Sequence, residues 1–231
     1  MIVKAPAKIN LFLEIINKRQ DGYHNLQTVM HTVSLFDTLE FTETPDADVE
    51  LFCDDKTLGQ NKTNIVYKTA VEFKEKYKVK SGVKITLLKK IPIGAGLGGG
   101  SSDSAAAILA LNKIWNVNAD KKELETFAAS LGADVPFFLT GGTAKAEGIG
   151  DIIEKIDSKE KYFFVLVKPS FGVSTVYAYS KIKFPLTNSD KIHRITKILQ
   201  NGVLTKKNAS DLFFNRFEDF IFYEYPEIKK I

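Results

Sequence analysis

Apolar and polar positions alternate near the amino terminus. Ile9, Leu11, Leu13 and Ile15 are interleaved with Asn10, Phe12 and Glu14, the period of two expected of a half-buried strand. RQDGYHN, residues 19–25, carries turn chemistry and closes it. LQTVMHTVSL (26–35), DTLEFTET (37–44) and DVELFC (48–53) predict three further strands. From Asn64 the period changes to that of a helix. Val66, Ala70, Phe73 and Tyr77 fall on one face, and Asn64 is placed to cap the free amides. GVKITLLKKIPI (82–93) predicts the next strand. A second helix opens at the serines after Gly100 and runs through Ala105 to about Trp115. A third starts near Asp120, with Leu124, Phe127, Ala128 and Leu131 on one stripe and Gly132 as its stop.

Beyond this point TAKAEGIGDIIEKI (143–156) predicts a hairpin and YFFVLVKP (162–169) a strongly apolar strand. STVYAYSKI (174–182), SDKIHRITKILQNG (189–202) and ASDLFFNRFEDFIFYEYP (209–226) predict mostly helix, with Leu212, Phe213, Phe217, Phe220 and Ile221 as a core stripe. The class is α+β. The composition break near residues 155–162 divides the chain into an amino-terminal domain, 1–155, and a carboxy-terminal one, 156–231.

The 231 residues suffice for one large domain or two small ones. A hydrophobic content of 44% with 26% charge is ordinary for a globular chain. The net charge of +4 is spread along the chain, so no nucleic-acid stripe and no polybasic membrane patch is expected. Cys53 is the sole cysteine, which excludes an intrachain disulfide and a cysteine metal cluster and suits a reducing compartment. MIVKAPAKINLFLEII lacks the layout of a signal peptide, and no run approaches a membrane span. A cytoplasmic protein is expected, a monomer or a weak homodimer. His31 and His193 read as structural or surface residues. No histidine pair has zinc spacing, so no structural metal is expected.

The chemistry concentrates in KKIPIGAGLGGGSSDSAAA, residues 89–107, where five of the seven positions from Gly94 to Gly100 are glycine. Peptide amides converge on an anion only where side chains do not block the approach, and the helix that follows adds unpaired donors and the positive end of its dipole. Strand, glycine loop and helix therefore predict a triphosphate cradle. It comprises Pro92, Ile93, Gly94, Ala95, Gly96, Leu97, Gly98, Gly99, Gly100, Ser101 and Ser102. No lysine follows the glycines, so this is not a Walker A loop. The phosphate charge is then met by a bound Mg2+ or by Lys89 and Lys90 before the loop.

PIGAGLGGGSSDSAAA, together with APAKINLFLEIINKRQDGYHNL (5–26) and LGADVPFFLTGGTAKAEGIGD (131–151), resembles the GHMP kinases, the superfamily of galacto-, homoserine, mevalonate and phosphomevalonate kinases. The resemblance implies a two-lobed fold, with a left-handed βαβ crossover in the amino-terminal lobe and a smaller carboxy-terminal α/β lobe. ATP and substrate would lie in the cleft between them. The PAK-x-N-L opening followed by DGYH points to the branch whose substrate carries a cytidylyl group. That branch phosphorylates the 2-hydroxyl of 4-diphosphocytidyl-2-C-methyl-D-erythritol with ATP and Mg2+. By resemblance, Lys8 lies beside Asp134, the catalytic base. Tyr23 stacks on the cytosine, His24 hydrogen-bonds its polar edge, and Asn10 binds the substrate. Tyr179, with Tyr177 as the alternative, closes the aromatic sandwich. Relatives also carry a third glycine-rich motif on a strand of the second lobe, and these residues reach YPEIKKI before one is met.

Overall fold

Two strands run much farther than their sequence segments suggest. In the computed structural model, which describes residues 1–60, 62–158, 161–182, 190–202 and 205–230, β1 spans Ile2–Lys18 and β2 spans His24–Thr44. The two strands expected at 26–35 and 37–44 are thus one. Ser189, at the start of an expected helix, and Lys159 and Glu160, within the expected break, lie outside the described residues. Contacts divide the chain into two units. The first holds Met1–Lys8, Val33–Ile93 and Leu97–Thr140, and the second Ile9–Thr32, Gly94–Gly96 and Gly141–Ile231.

In the first unit, β3 (Val49–Cys53), α1 (Ile65–Tyr77) and β4 (Gly82–Leu88) form a βαβ unit. β4 pairs parallel with β3 and antiparallel with β2, from Thr38 opposite Leu88 to Thr44 opposite Gly82. Val83, Ile85 and Leu87 point inward and are fully buried. Asn64 caps α1 as expected, its side chain accepting the Val66 N–H at 2.9 Å. α2 (Gly99–Ile114) is buried along almost its whole first half, from Ser102 to Ile108. Its small side chains allow α1 to approach closely enough for a 2.7 Å contact between the Thr69 and Ser104 hydroxyls. α3 (Lys121–Leu131) opens with a capping box between Asp120 and Glu123 and buries Leu124, Phe127 and Ala128. α4 (Val135–Thr140) was not foreseen. Its Pro136 falls in the first turn, where a missing N–H costs nothing.

In the second unit, residues Thr28–His31 of β2 pair antiparallel with β5 (Thr143–Glu147), which forms the expected hairpin with β6 (Ile152–Ile156). The helices are α5 (Thr175–Ser180), α6 (Lys191–Asn201), α7 (Lys206–Leu212), α8 (Glu218–Glu224) and α9 (Pro226–Lys229). Leu11, Phe12, Val29, Ile156, Ile192, Ile195, Leu199 and Leu212 make one buried cluster.

Three expectations fail here for identifiable reasons. First, β1 is buried on both faces between Leu11 and Ile15. Phe12 packs against Phe214, and Glu14 is buried because Arg216 meets it with two hydrogen bonds, at 2.7 and 2.6 Å. Second, the expected helix 209–226 is interrupted. Phe214 and Asn215 form β7, parallel to Phe12 and Leu13. Within the expected stripe Leu212 alone is fully buried; Phe213 is exposed and Phe217, Phe220 and Ile221 are half-buried. Third, YFFVLVKP carries no strand assignment. Tyr162 and Phe164 pack on the core cluster while Phe163 and Val165 are 98% and 91% exposed. Alternation survives there, but apolar content alone does not supply the neighbouring edge that a ladder needs. Among the described residues no helix is long and apolar enough to cross a membrane.

Candidate active site

Lys8 sits where β1 meets the glycine loop. Its backbone N–H donates to the Leu97 carbonyl at 2.9 Å. Its side chain is almost fully enclosed, and Nζ lies 3.6 Å from Asp134 Oδ2. Asp134 follows the Gly132 stop of α3 and directly precedes α4, and its side chain remains 38% exposed. The lysine is therefore enclosed, while the carboxylate keeps a face open to an incoming group.

Gly98 joins this pair to the loop. Its φ is +69°, and a Cβ there would stand 2.8 Å from Phe138 and 3.1 Å from the Lys8 stem. Both the left-handed backbone and the crowded space favour glycine over any other residue. Gly94 and Gly96 also have positive φ, with open space where a side chain would be. Gly98 is the N-cap of α2 and contributes no capping side chain, so the first-turn amides of Gly99, Gly100 and Ser101 have no intrahelical acceptor. The buried Ser102 hydroxyl has no hydrogen-bond partner. The uncapped amides at the start of α2 and the orphan Ser102 hydroxyl are donors of the kind that an anion satisfies.

Lys89 does not play the part expected of it. Its buried ammonium is bound by Asp37 and, at 2.7 Å, by Asp103, so it is neutralised below the loop rather than offered to phosphate. Burial pushes the Asp103 carboxyl up to about 7 despite the nearby Lys89 ammonium. Lys90 is exposed, with its ammonium 6.0 Å from the centre of the Phe36 ring. The sequence reading missed Asp37 and Asp103. For Asp103 the available signal was a carboxylate among the small residues that open α2, GGSSDSAAA.

The second unit holds the remaining candidates. Arg19 and Asp21 pair at 2.8 Å, Asp21 accepts the Tyr23 N–H at 3.1 Å, and Gly22 takes a φ of +88°. This tight turn presents Tyr23 61% exposed. His24 stacks on Tyr179, with ring centres 4.9 Å apart and planes 18° off parallel, and Tyr179 meets Phe217 edge-on at 5.1 Å. Burial, and secondarily the Lys18 charge, lower the His24 pKa and favour the neutral ring. Tyr177 is engaged elsewhere: its hydroxyl donates to Glu224 at 2.6 Å and the Lys181 ammonium lies 4.8 Å from its ring centre. Asn10 is half-buried on β1. His31 contacts the Thr143 hydroxyl at 2.7 Å and packs on Tyr162 and Phe164; His193 is exposed on α6. The structure thus brings Lys8, Asp134 and Gly98 together in one unit, and His24 and Tyr179 in the other.

Residues 64–142 match the model of the GHMP kinases N terminal domain. A 4-diphosphocytidyl-2-C-methyl-D-erythritol kinase of Bacillus cereus is 40% identical over all 231 residues, which cover 79% of that protein, and one of Bacillus mycoides matches to the same extent. A crystal structure of 4-(cytidine 5'-diphospho)-2C-methyl-D-erythritol kinase superposes with a TM-score of 0.78 at 32% identity, covering 100% of this chain and 80% of that one. A homoserine kinase from Cytophaga hutchinsonii shares the fold, with a TM-score of 0.66 at 17% identity, over 94% of this chain and 76% of its own. A match at this identity along the entire chain, with the fold retained, shows that the chain belongs to the 4-diphosphocytidyl-2-C-methyl-D-erythritol kinase family of the GHMP kinases.

Proposed function

We propose that this chain transfers the γ-phosphoryl group of ATP to the 2-hydroxyl of 4-diphosphocytidyl-2-C-methyl-D-erythritol, a step of the non-mevalonate route to isoprenoid precursors. The observation that carries the reading is the Lys8–Asp134 pair at 3.6 Å, packed through Gly98 against the start of α2. The substrate hydroxyl oxygen attacks the γ-phosphorus and the bond to the β,γ-bridging oxygen breaks. Asp134 accepts the hydroxyl proton, and ADP leaves. Because the transition state is loose, proton loss is late and positioning does most of the catalysis. Lys8, nearly enclosed, stabilises charge on the moving phosphoryl group.

Residues Pro92–Ser102 bind the triphosphate through backbone amides and the Ser101 and Ser102 hydroxyls. Among the described residues no three His, Cys, Asp or Glu side chains are grouped to hold a metal. Mg2+ fits this site as an ion held mainly by phosphate oxygens and water, its usual mode, and when bound it neutralises phosphate charge. Tyr23 stacks on the cytosine, the neutral His24 offers its ring nitrogens to the polar edge, and Asn10 contacts the substrate. His24 and Tyr179 stack directly on one another, so Tyr179 shifts when it closes over the base. Residues 1–155 carry ATP binding and 156–231 complete the enzyme, which acts in the cytoplasm as a monomer or weak homodimer.

The test is phosphate transfer by the purified chain with the cytidylyl substrate, mevalonate, homoserine or galactose as acceptor. Transfer to the first alone supports the reading; transfer to another alcohol, or ATP binding without transfer, overturns it.

A further inference from the structure

We infer that the buried Asp37–Lys89–Asp103 cluster is the positioning device of the phosphate-binding loop, so that its integrity sets affinity for ATP rather than for the alcohol substrate. The inference rests on the reading of residues 92–102 as the nucleotide site.

The cluster grips both ends of that loop. At the entry, one carboxylate oxygen of Asp37 accepts the N–H groups of Lys90 and, at 2.8 Å, Ile91. Its other oxygen binds the Lys89 ammonium. At the exit, Asp103 lies in the first turns of α2 and binds the same ammonium at 2.7 Å. The ammonium passes directly beneath the start of the helix: a Cβ on Gly99 would stand 3.3 Å from Lys89 Nζ. One lysine therefore ties β2, the end of the β4 segment and α2 together around the eleven residues Pro92–Ser102.

The loop needs such a clamp. Its glycines give it many accessible conformations, and Gly94 and Gly96 meet no neighbouring atom within 4 Å where a side chain would be. Ordering it on binding costs conformational entropy, which weakens affinity unless the ends are already fixed. The cluster is also an odd choice for stability alone. Two acidic side chains share one buried ammonium, which leaves one of them without a cation of its own, and one Asp103 oxygen has no hydrogen-bond partner. Buried ionic groups of this kind fix geometry better than they add stability.

Asp37→Asn separates the functions. The amide can keep one acceptor for the loop N–H groups only by turning its NH2 towards the Lys89 ammonium, or the reverse. We expect the ATP Kd and KM to rise at least about tenfold, with the KM for the cytidylyl substrate within about twofold of wild type. Hydrogen exchange at the Lys90 and Ile91 amides should accelerate. Asp103→Asn, which retains an acceptor for Lys89, should raise the ATP KM by about three- to tenfold, and Lys89→Arg should retain more ATP affinity than Lys89→Met. An ATP KM unchanged in folded Asp37→Asn, or both substrate KM values rising together, overturns the inference. If Asp37→Asn does not fold, Asp103→Asn decides by the same criterion. Wild-type protein that binds no ATP removes the nucleotide-site reading itself, whereas wild type that binds ATP with indifferent variants removes only the clamp.

Discussion

The first unit contains two lysine–aspartate clusters built to opposite specifications. Lys8 and Asp134 stand 3.6 Å apart, with the carboxylate 38% exposed. Lys89 is closed over by Asp37 and Asp103, both almost fully buried, and its ammonium donates to each of them. In the open pair the Lys8 side chain is nearly enclosed while the Asp134 carboxylate is partly exposed, the geometry that the proposed proton acceptance needs. The closed cluster is arranged to hold backbone in place. The same two residue types thus form an open pair and a closed cluster within one unit, and the proposed function assigns the reaction to the open one.

Variants can break this comparison. The largest effect is expected from Asp134→Asn, which should lower kcat by about 10³-fold or more, with ATP Kd within about twofold of wild type in titration calorimetry. Normal turnover would remove Asp134 as the base. Next is Lys89→Met, which leaves two carboxylates buried without their cation. Denaturant titration should show a loss of about 3–5 kcal/mol. The matching change in the open pair, Lys8→Met, should cost about 1 kcal/mol or less, since Asp134 keeps its water, while still impairing transfer. Equal stability losses would mean that the two clusters do not differ in the way described.

Smaller effects sharpen the picture. Tyr23→Ala should cost about 1–3 kcal/mol in binding of the cytidylyl substrate and leave ATP binding unchanged, measured by separate KM determinations. The smallest is a pH effect. Burial raises the Asp103 carboxyl from 3.8 to about 7. The folded chain then holds a proton that the unfolded chain releases, so this group's contribution to stability is present below pH 4 and is lost as pH rises through about 7. Thermal midpoints of wild type should therefore fall across that window more steeply than those of Asp103→Asn; parallel curves would contradict the assignment.

Much of the fold was legible because its signals are local. Asn64 as a cap, the start of α3 near Asp120 with its stop at Gly132, and the β5–β6 hairpin follow from short-range rules, and the structure has each of them. That the loop needs glycine was legible too, and at Gly98 the structure shows why, in a positive φ and a Cβ position crowded by Phe138 and Lys8. What escaped depends on distant partners. Glu14 reads as a solvent-facing strand residue until Arg216, 202 positions away, buries it. Phe214 reads as helix until Phe12 recruits it into a parallel pair. Lys89 reads as a phosphate ligand until Asp37 and Asp103 claim it. Lys8 and Asp134 were joined through family resemblance, because no local rule links residues on a first strand and a later helix boundary.

Gly98 carries a mechanical consequence. A single methyl at that position would press on Phe138 and on the aliphatic stem of Lys8 together, so under the proposed function nucleotide grip and proton acceptance share one wall. On that reading, a laboratory search for altered phosphoryl donors would do better to vary residues 98 and 138 as a couple than either in isolation.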